Sequence, residues 1–311
     1  MRRKSQNVGK SEPEHKKDSS ASRTFQSAEG EGVRTMSLNL EAIETRLEDR
    51  VLFASLNVPP LNLLGQTIIH DLVDLVQHVE TNDDIRVVVF RSSVPNYFIS
   101  HFDMTQLDEV RQQLTRAMLE PSLGVFFKRL STLKQVSIAE IAGRVRGAGS
   151  ELILACDMRF AARDSALFAH PEAGVGAVPG AGAIQHLSRL LGRSGALEAL
   201  LGADDFSAEL AERYGWINRV LPDAELRSFV ERLAYRIAAF PPATVQNIKN
   251  RVAEMTLPSE TELRTDGRLS IASLREPETQ KRLKALFALG LQSSWEFEMN
   301  LGHALGELPS D

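Results

Sequence analysis

Two carboxylates and two strand-end segments are the parts of this chain best suited to chemistry. Glu151 follows the turn Gly147-Ala148-Gly149, and Glu172 follows Pro171 in a loop ahead of Gly174–Pro179. Paired carboxylates that converge in a dry pocket can divide acid and base work between them. Spacing along the chain does not make them converge, and a glutamate in a helix's first turn is also favoured by the helix dipole alone. The segments Tyr97–Met104 (YFISHFDM) and Gly143–Asp157 (GRVRGAGSELILACD) each come after a run that reads as a strand. Each can present backbone N–H groups at the strand's end. In the second segment the glycines lead into a helix, whose first amides lack internal partners and sit at the positive end of its dipole. That makes a local anion site, although a turn needing glycine for backbone geometry would look the same. The histidines are scattered and no His/Cys spacing resembles a zinc site, so no metal is expected.

The elements that must hold these residues alternate between two patterns. Arg50–Asn57 (RVLFASLN), Ile85–Ser92 (IRVVVFRS), Gln135–Ala142 (QVSIAEIA) and Ala166–Ala169 read as strands, the second as a nearly continuous β-branched run of the buried kind. Leu63–Thr81 has apolar residues at helical spacing, Glu151–Cys156 reads as a helix, and a helix runs through Leu191 after the glycine-rich loop 174–182. Alternating strands and helices argue for an α/β fold. Residues 1–38 read as a disordered tail, too polar to offset its ordering entropy. Residues 39–225 form the core, and residues 226–311 are almost wholly helical. The net charge of −5 argues against a nucleic-acid surface. No apolar run reaches the ~18 residues of a membrane span. The single cysteine, Cys156, excludes an intrachain disulfide and fits a reducing compartment such as the cytoplasm.

The ordered set Gly143–Asp157, Pro171-Glu172, Pro179-Gly180-Ala181-Gly182, Leu187–Gly192 and Gly215–Pro222 resembles the enoyl-CoA hydratase/isomerase family, the crotonases. The resemblance runs from about Arg46 to Leu226 and more loosely beyond. It implies a spiral of ββα units with a helical C-terminal region for oligomerisation and active-site cover. It also implies assembly as a homotrimer or dimer of trimers, and an acyl-CoA substrate. Coenzyme A would enter as part of that substrate, with no separate cofactor. By motif, the two backbone donors that hold a thioester oxygen fall on Phe102 and Ala148, and the two acid/base glutamates on Glu151 and Glu172. Ser100, His101, Asp103 and Gly147 would flank the bound acyl group. Having both glutamates favours hydration of a 2-enoyl-CoA. An isomerase, decarboxylase or thioester hydrolase could use the same oxyanion hole, and a crotonase-fold binding protein without turnover is the alternative of another class.

The sequence departs from the family pattern in several places. Ser100-His101-Phe102-Asp103 stands where Ala-Gly-Ala-Asp is usual. Any residue but proline supplies an amide, so the hole survives while the bulk of His101 and Phe102 reshapes the pocket. His101 itself is expected at the surface. Arg146 replaces an apolar residue and is expected to pair with Glu140. Lys281, Arg282 and Lys284 are expected on a solvated helix face.

Overall fold

The computed structural model describes Val33–Arg34 and residues 38–307. In chain order the elements are β1 (Val33–Arg34), β2 (Ile43–Glu48), β3 (Val51–Leu56), α1 (Gln66–Thr81), β4 (Val87–Ser92), β5 (Tyr97–Ile99), α2 (Leu107–Met118) and α3 (Leu123–Ser131). Next come β6 (Val136–Ile141), β7 (Arg144–Arg146), α4 (Ala148–Ala155), β8 (Met158–Ala162), β9 (Leu167–Ala169), α5 (Glu172–Val175) and α6 (Ala183–Gly202). They are followed by β10 (Phe206–Ser207), α7 (Ala208–Tyr214), β11 (Arg219–Leu221) and α8 (Asp223–Ala238). The chain ends in α9 (Pro242–Thr256), α10 (Glu260–Leu274), α11 (Pro277–Leu289), α12 (Trp295–Met299) and α13 (Leu301–Gly306).

The strands form two sheets, one ordered β1-β2-β3-β4-β6-β8-β11 and one ordered β10-β9-β7-β5. Pairing is parallel from β3 to β11 in the first and from β5 through β7 to β9 in the second. Each repeat therefore gives one strand to each sheet before its helix: β4 and β5, then β6 and β7, then β8 and β9. This is the expected ββα spiral. The β-branched runs are explained by burial on both faces of the larger sheet. Val51, Phe53, Val87, Val89, Val136 and Ile138 meet Leu226, Val230 and Ala234 of α8. The alternate residues Leu52, Ala54, Val88 and Phe90 belong to the main core on the other face.

Several boundaries differ from expectation. The tail falls outside the described residues except for Val33–Arg34 and Leu38, and Val33–Arg34 pair antiparallel with β2 as an edge strand rather than belonging to a disordered tail. A ladder uses backbone groups, so composition gave no sign of it. Helix α8 begins before residue 226 and packs on the sheet, so it is part of the core layer. Helix α6 continues past Leu191 through a break at Gly192, where φ is 70°. Arg282 on α11 donates to the Gly174 carbonyl at 3.1 Å and is tied to the core.

Helix α4 is buried along its whole length and starts hard against β5. A Cβ on Gly149 would stand 2.6 Å from the Ile99 Cβ and 2.9 Å from its carbonyl oxygen. Helix propensity alone would make Gly149→Ala stabilising by about 1 kcal/mol. The contact predicts the opposite sign, a loss of ~1–3 kcal/mol, measurable as a lowered midpoint in denaturant titration.

Candidate active site

Three neighbouring parallel strands end on one edge of the smaller sheet, and each releases the chain into a site segment. After β5 comes Ser100–Asp103, after β7 comes Gly147-Ala148, and after β9 comes His170-Pro171-Glu172. Strands about 4.8 Å apart therefore bring together residues from distant parts of the sequence.

Ala148 is the first residue of α4, with Gly147 as its N-cap at φ 50°. At that position its N–H has no intrahelical acceptor. Gly147 is favoured by its positive φ, and a Cβ there would press on the Glu172 Oε1 at 3.1 Å and displace that carboxylate. Phe102 pairs in a parallel bridge with Leu64. Leu64 N–H donates to the His101 carbonyl at 2.9 Å, and Asp103 N–H donates to the Leu64 carbonyl at 3.2 Å. Bridge geometry turns the intervening Phe102 N–H the other way. Among the described residues, neither the Phe102 nor the Ala148 amide finds an acceptor.

Both amide residues line a cavity of about 590 Å³ together with His101, Gly147, Glu151 and Glu172. Much of the remaining wall is apolar, with Leu107, Val110 and Leu114 on one face of α2. Phe102 stands on the wall and leaves the space open. Glu151 is 3 % exposed, and its Oε1 accepts the N–H groups of Ala181 at 2.7 Å and Ala183 at 3.1 Å. Burial, and then the charge of Glu172, push its carboxyl up to about 7 against those two bonds. The Oε2 of Glu172 lies 3.4 Å from Nδ1 of His170, whose ring is stacked on Trp216 at 5.4 Å.

Four of the six residues expected around the acyl group and oxyanion hole stand on this cavity: His101, Phe102, Gly147 and Ala148. Ser100 and Asp103 do not line it. Ser100 is fully buried beneath it, and its N–H donates to Leu61 at 3.3 Å. The Asp103 carboxylate is already occupied by Thr105, Gln106 and Gln292, so it shapes the turn rather than contacting substrate.

His101 is not at the surface. It is 6 % exposed, and its Nε2 faces both carboxylate oxygens of Glu298 at 3.0 and 3.1 Å. Arg146 does not pair with Glu140, because β6 and β7 lie in different sheets. Its guanidinium instead grips Asp205 with two bonds of 2.7 and 2.6 Å and donates to the Glu298 carbonyl at 2.7 Å. Glu140 faces Arg227 at 3.6 Å. The roles of Glu298, Gln292 and Asp205 carry no local sequence signal. His170, directly before Pro171-Glu172, could have been suspected from its position. Among the described residues, no group of three or more His, Cys, Asp or Glu side chains is placed to hold a metal ion.

Residues 46–294 match the Enoyl-CoA hydratase/isomerase family. The chain belongs to that family. Its members act on acyl-CoA substrates, and the chain is an enzyme of the hydratase/isomerase kind. A short-chain-enoyl-CoA hydratase of Clostridium acetobutylicum is 28% identical over 222 residues, covering 70% of this chain and 82% of that protein. A 2,3-dehydroadipyl-CoA hydratase of Escherichia coli is 29% identical, covering 67% of this chain and 80% of that protein. Among solved structures, a putative enoyl-CoA hydratase from Streptomyces avermitilis superposes with a TM-score of 0.85 at 46% identity, over 87% of this chain and 98% of that one. The crotonase fold expected from the sequence is thus the fold observed.

The raised carboxyl of Glu151 has a consequence for stability. Its ordinary value is 4.5, and in the folded state it is about 7, so folding tightens its hold on the proton. The stabilisation is complete below the unfolded value and is lost as pH rises through the folded one. Glu151→Gln is therefore expected to melt at the same temperature as the parent near pH 5 and a few degrees higher at pH 8, by scanning calorimetry.

Proposed function

We propose that this protein hydrates a 2-enoyl-CoA. The observation that carries the reading is that two glutamates and two unpaired backbone amides face a single cavity. The thioester carbonyl would sit between the amides of Phe102 and Ala148. As water adds to the β-carbon, electrons of the C=C bond move onto that oxygen, and an enolate forms. Donors fixed in place stabilise the new charge without reorganising, and loss of one typically lowers the rate by ~10²–10³. One carboxylate takes a proton from the water as its hydroxyl bonds to carbon. The other then delivers a proton to the α-carbon, collapsing the enolate to the 3-hydroxyacyl thioester. Burial and the charge of Glu172 let Glu151 hold its proton up to about 7, which suits a division of labour in which one carboxyl gives a proton and the other takes one. In this scheme coenzyme A enters with the substrate and no other cofactor takes part.

An assembly of three copies, or six, accompanies this proposal. Ile248, Val252 and Met255 on α9 are 62%, 51% and 72% exposed, a helical stripe suited to burial between copies. Among the described residues no helix is long and apolar enough to cross a membrane.

Purified protein should convert crotonyl-CoA to 3-hydroxybutyryl-CoA, followed by loss of enoyl absorbance. Glu151→Gln and Glu172→Gln should each lower kcat by ~10²–10⁴, and full activity in both would remove the mechanism. Ala148→Gly keeps the donor and should retain most turnover. Ala148→Pro removes it at a helix position that tolerates proline, and should abolish turnover in protein shown to be folded by circular dichroism.

A further inference from the structure

The mechanism above leaves one buried charged pair without a task. His101, on the cavity wall, meets Glu298 behind it, although they lie 197 positions apart in sequence. The Nδ1 of His101 is 2.9 Å from the carbonyl oxygen of Phe102, and its Nε2 faces the Glu298 carboxylate. A carbonyl and an ionised carboxylate can only accept, so both ring nitrogens must donate. Glu298 also accepts the N–H of Gln292 at 2.7 Å, which favours its anionic form. We propose that His101, kept as an imidazolium by Glu298, is a positioning residue for the oxyanion hole: it clamps Phe102 with its N–H turned to the cavity and sets a positive charge beside the enolate oxygen.

Phe102 is held from both sides. Leu64 binds the carbonyl before it and the amide after it, and the His101 ring binds its own carbonyl. The other charged or titratable groups around the pair are known. Arg146 reaches it from β7 with Asp205 behind, Tyr97 faces Glu298 from β5, and Glu172 lies across Gly147 from the His101 Cβ. Burial opposes the charged ring, but the hydrogen bond and charge of Glu298 outweigh it, and the His101 pKa is raised. Burial likewise opposes the Glu298 carboxylate, but the bond and charge of His101 outweigh it, and its pKa is lowered. In a shielded cavity a fixed positive charge acts strongly on a developing anion.

This inference rests on the thioester-enolate reading, so two of its tests do not use hydration. Nuclear magnetic resonance of ¹⁵N-histidine-labelled full chain should show both His101 ring nitrogens protonated at pH 8. A neutral ring at pH 7 overturns the proposal, whether or not any variant folds. Acetoacetyl-CoA, whose enolate absorbs in the near ultraviolet, should bind in its enolate form to the parent. At pH 8 Glu298→Gln should lower that enolate fraction and lower kcat about tenfold, with KM changed less than twofold. Both should recover only as pH falls well below the ordinary histidine value of 6.5, because burial opposes the charged ring once Glu298 is gone. A deficit that stays constant as pH is lowered from 8 to 5 is a structural effect and overturns the charge assignment, as does parental behaviour at pH 8. Enolate binding without hydration of any enoyl-CoA would sink the hydratase reading and leave this proposal standing.

Discussion

Everything at the cavity depends on the parallel pairing of β5, β7 and β9. Parallel strands require crossover connections, so successive carboxyl ends emerge on one edge of a sheet. Here that edge receives three separate segments within a few ångströms of one another. The ladder also decides which backbone groups are left over. Where Leu64 pairs with Phe102, the partner groups on one side are consumed and the Phe102 amide is turned outward. Where β7 gives way to α4, Gly147 bends the chain and the helix begins with an amide that has nothing to bond. Both donors are by-products of regular structure, fixed as rigidly as the sheet itself, which suits groups that must not move during reaction.

Charge is placed around this frame with close compensation. Arg146 and Glu298 are both fully buried, a condition tolerated only with good partners. Arg146 has the Asp205 carboxylate and a backbone carbonyl. Glu298 has His101 and the Gln292 amide. Glu151 is different: it receives two backbone N–H groups but makes no ion pair among the described residues, and burial lifts its carboxyl to about 7. Arg146, His101 and Glu298 each face a group of opposite charge or an accepting carbonyl, whereas Glu151 is left able to exchange a proton. That contrast separates the scaffolding charges from those available for acid/base work.

Much of this was legible in the sequence. The strands of the larger sheet were visible because burial on both faces demands unbroken apolar runs. The turn at Gly147 was visible because few residues other than glycine accept its backbone. The short strands of the smaller sheet were harder, since three residues such as Arg144–Arg146 give no period to read. The partners of His101 and Arg146 were not readable at all. The bonds to Glu298 depend on the C-terminal helices folding back over the core, and the Arg146–Asp205 pair depends on β10 joining the smaller sheet, and nothing local to either residue announces them. Nearness in sequence even misled, because Glu140 and Arg146, on consecutive strands, are carried into separate sheets.

The fold-back of α12 onto the loop after β5 also sets an order of events in synthesis. His101 leaves the ribosome long before Glu298 exists, and the two are 197 residues apart. At ~5–20 residues per second, that interval is about 10–40 s. Until it ends, the loop carrying Phe102 has neither its carboxylate anchor nor the Gln292 contacts that brace Asp103 and Met104. The nascent sheets can form earlier from their own apolar faces, but the cavity wall is completed only when Leu283, Leu291 and Leu301 have been made. A ribosome that stops before Glu298 releases a chain with its two sheets intact and the loop carrying Phe102 unbraced.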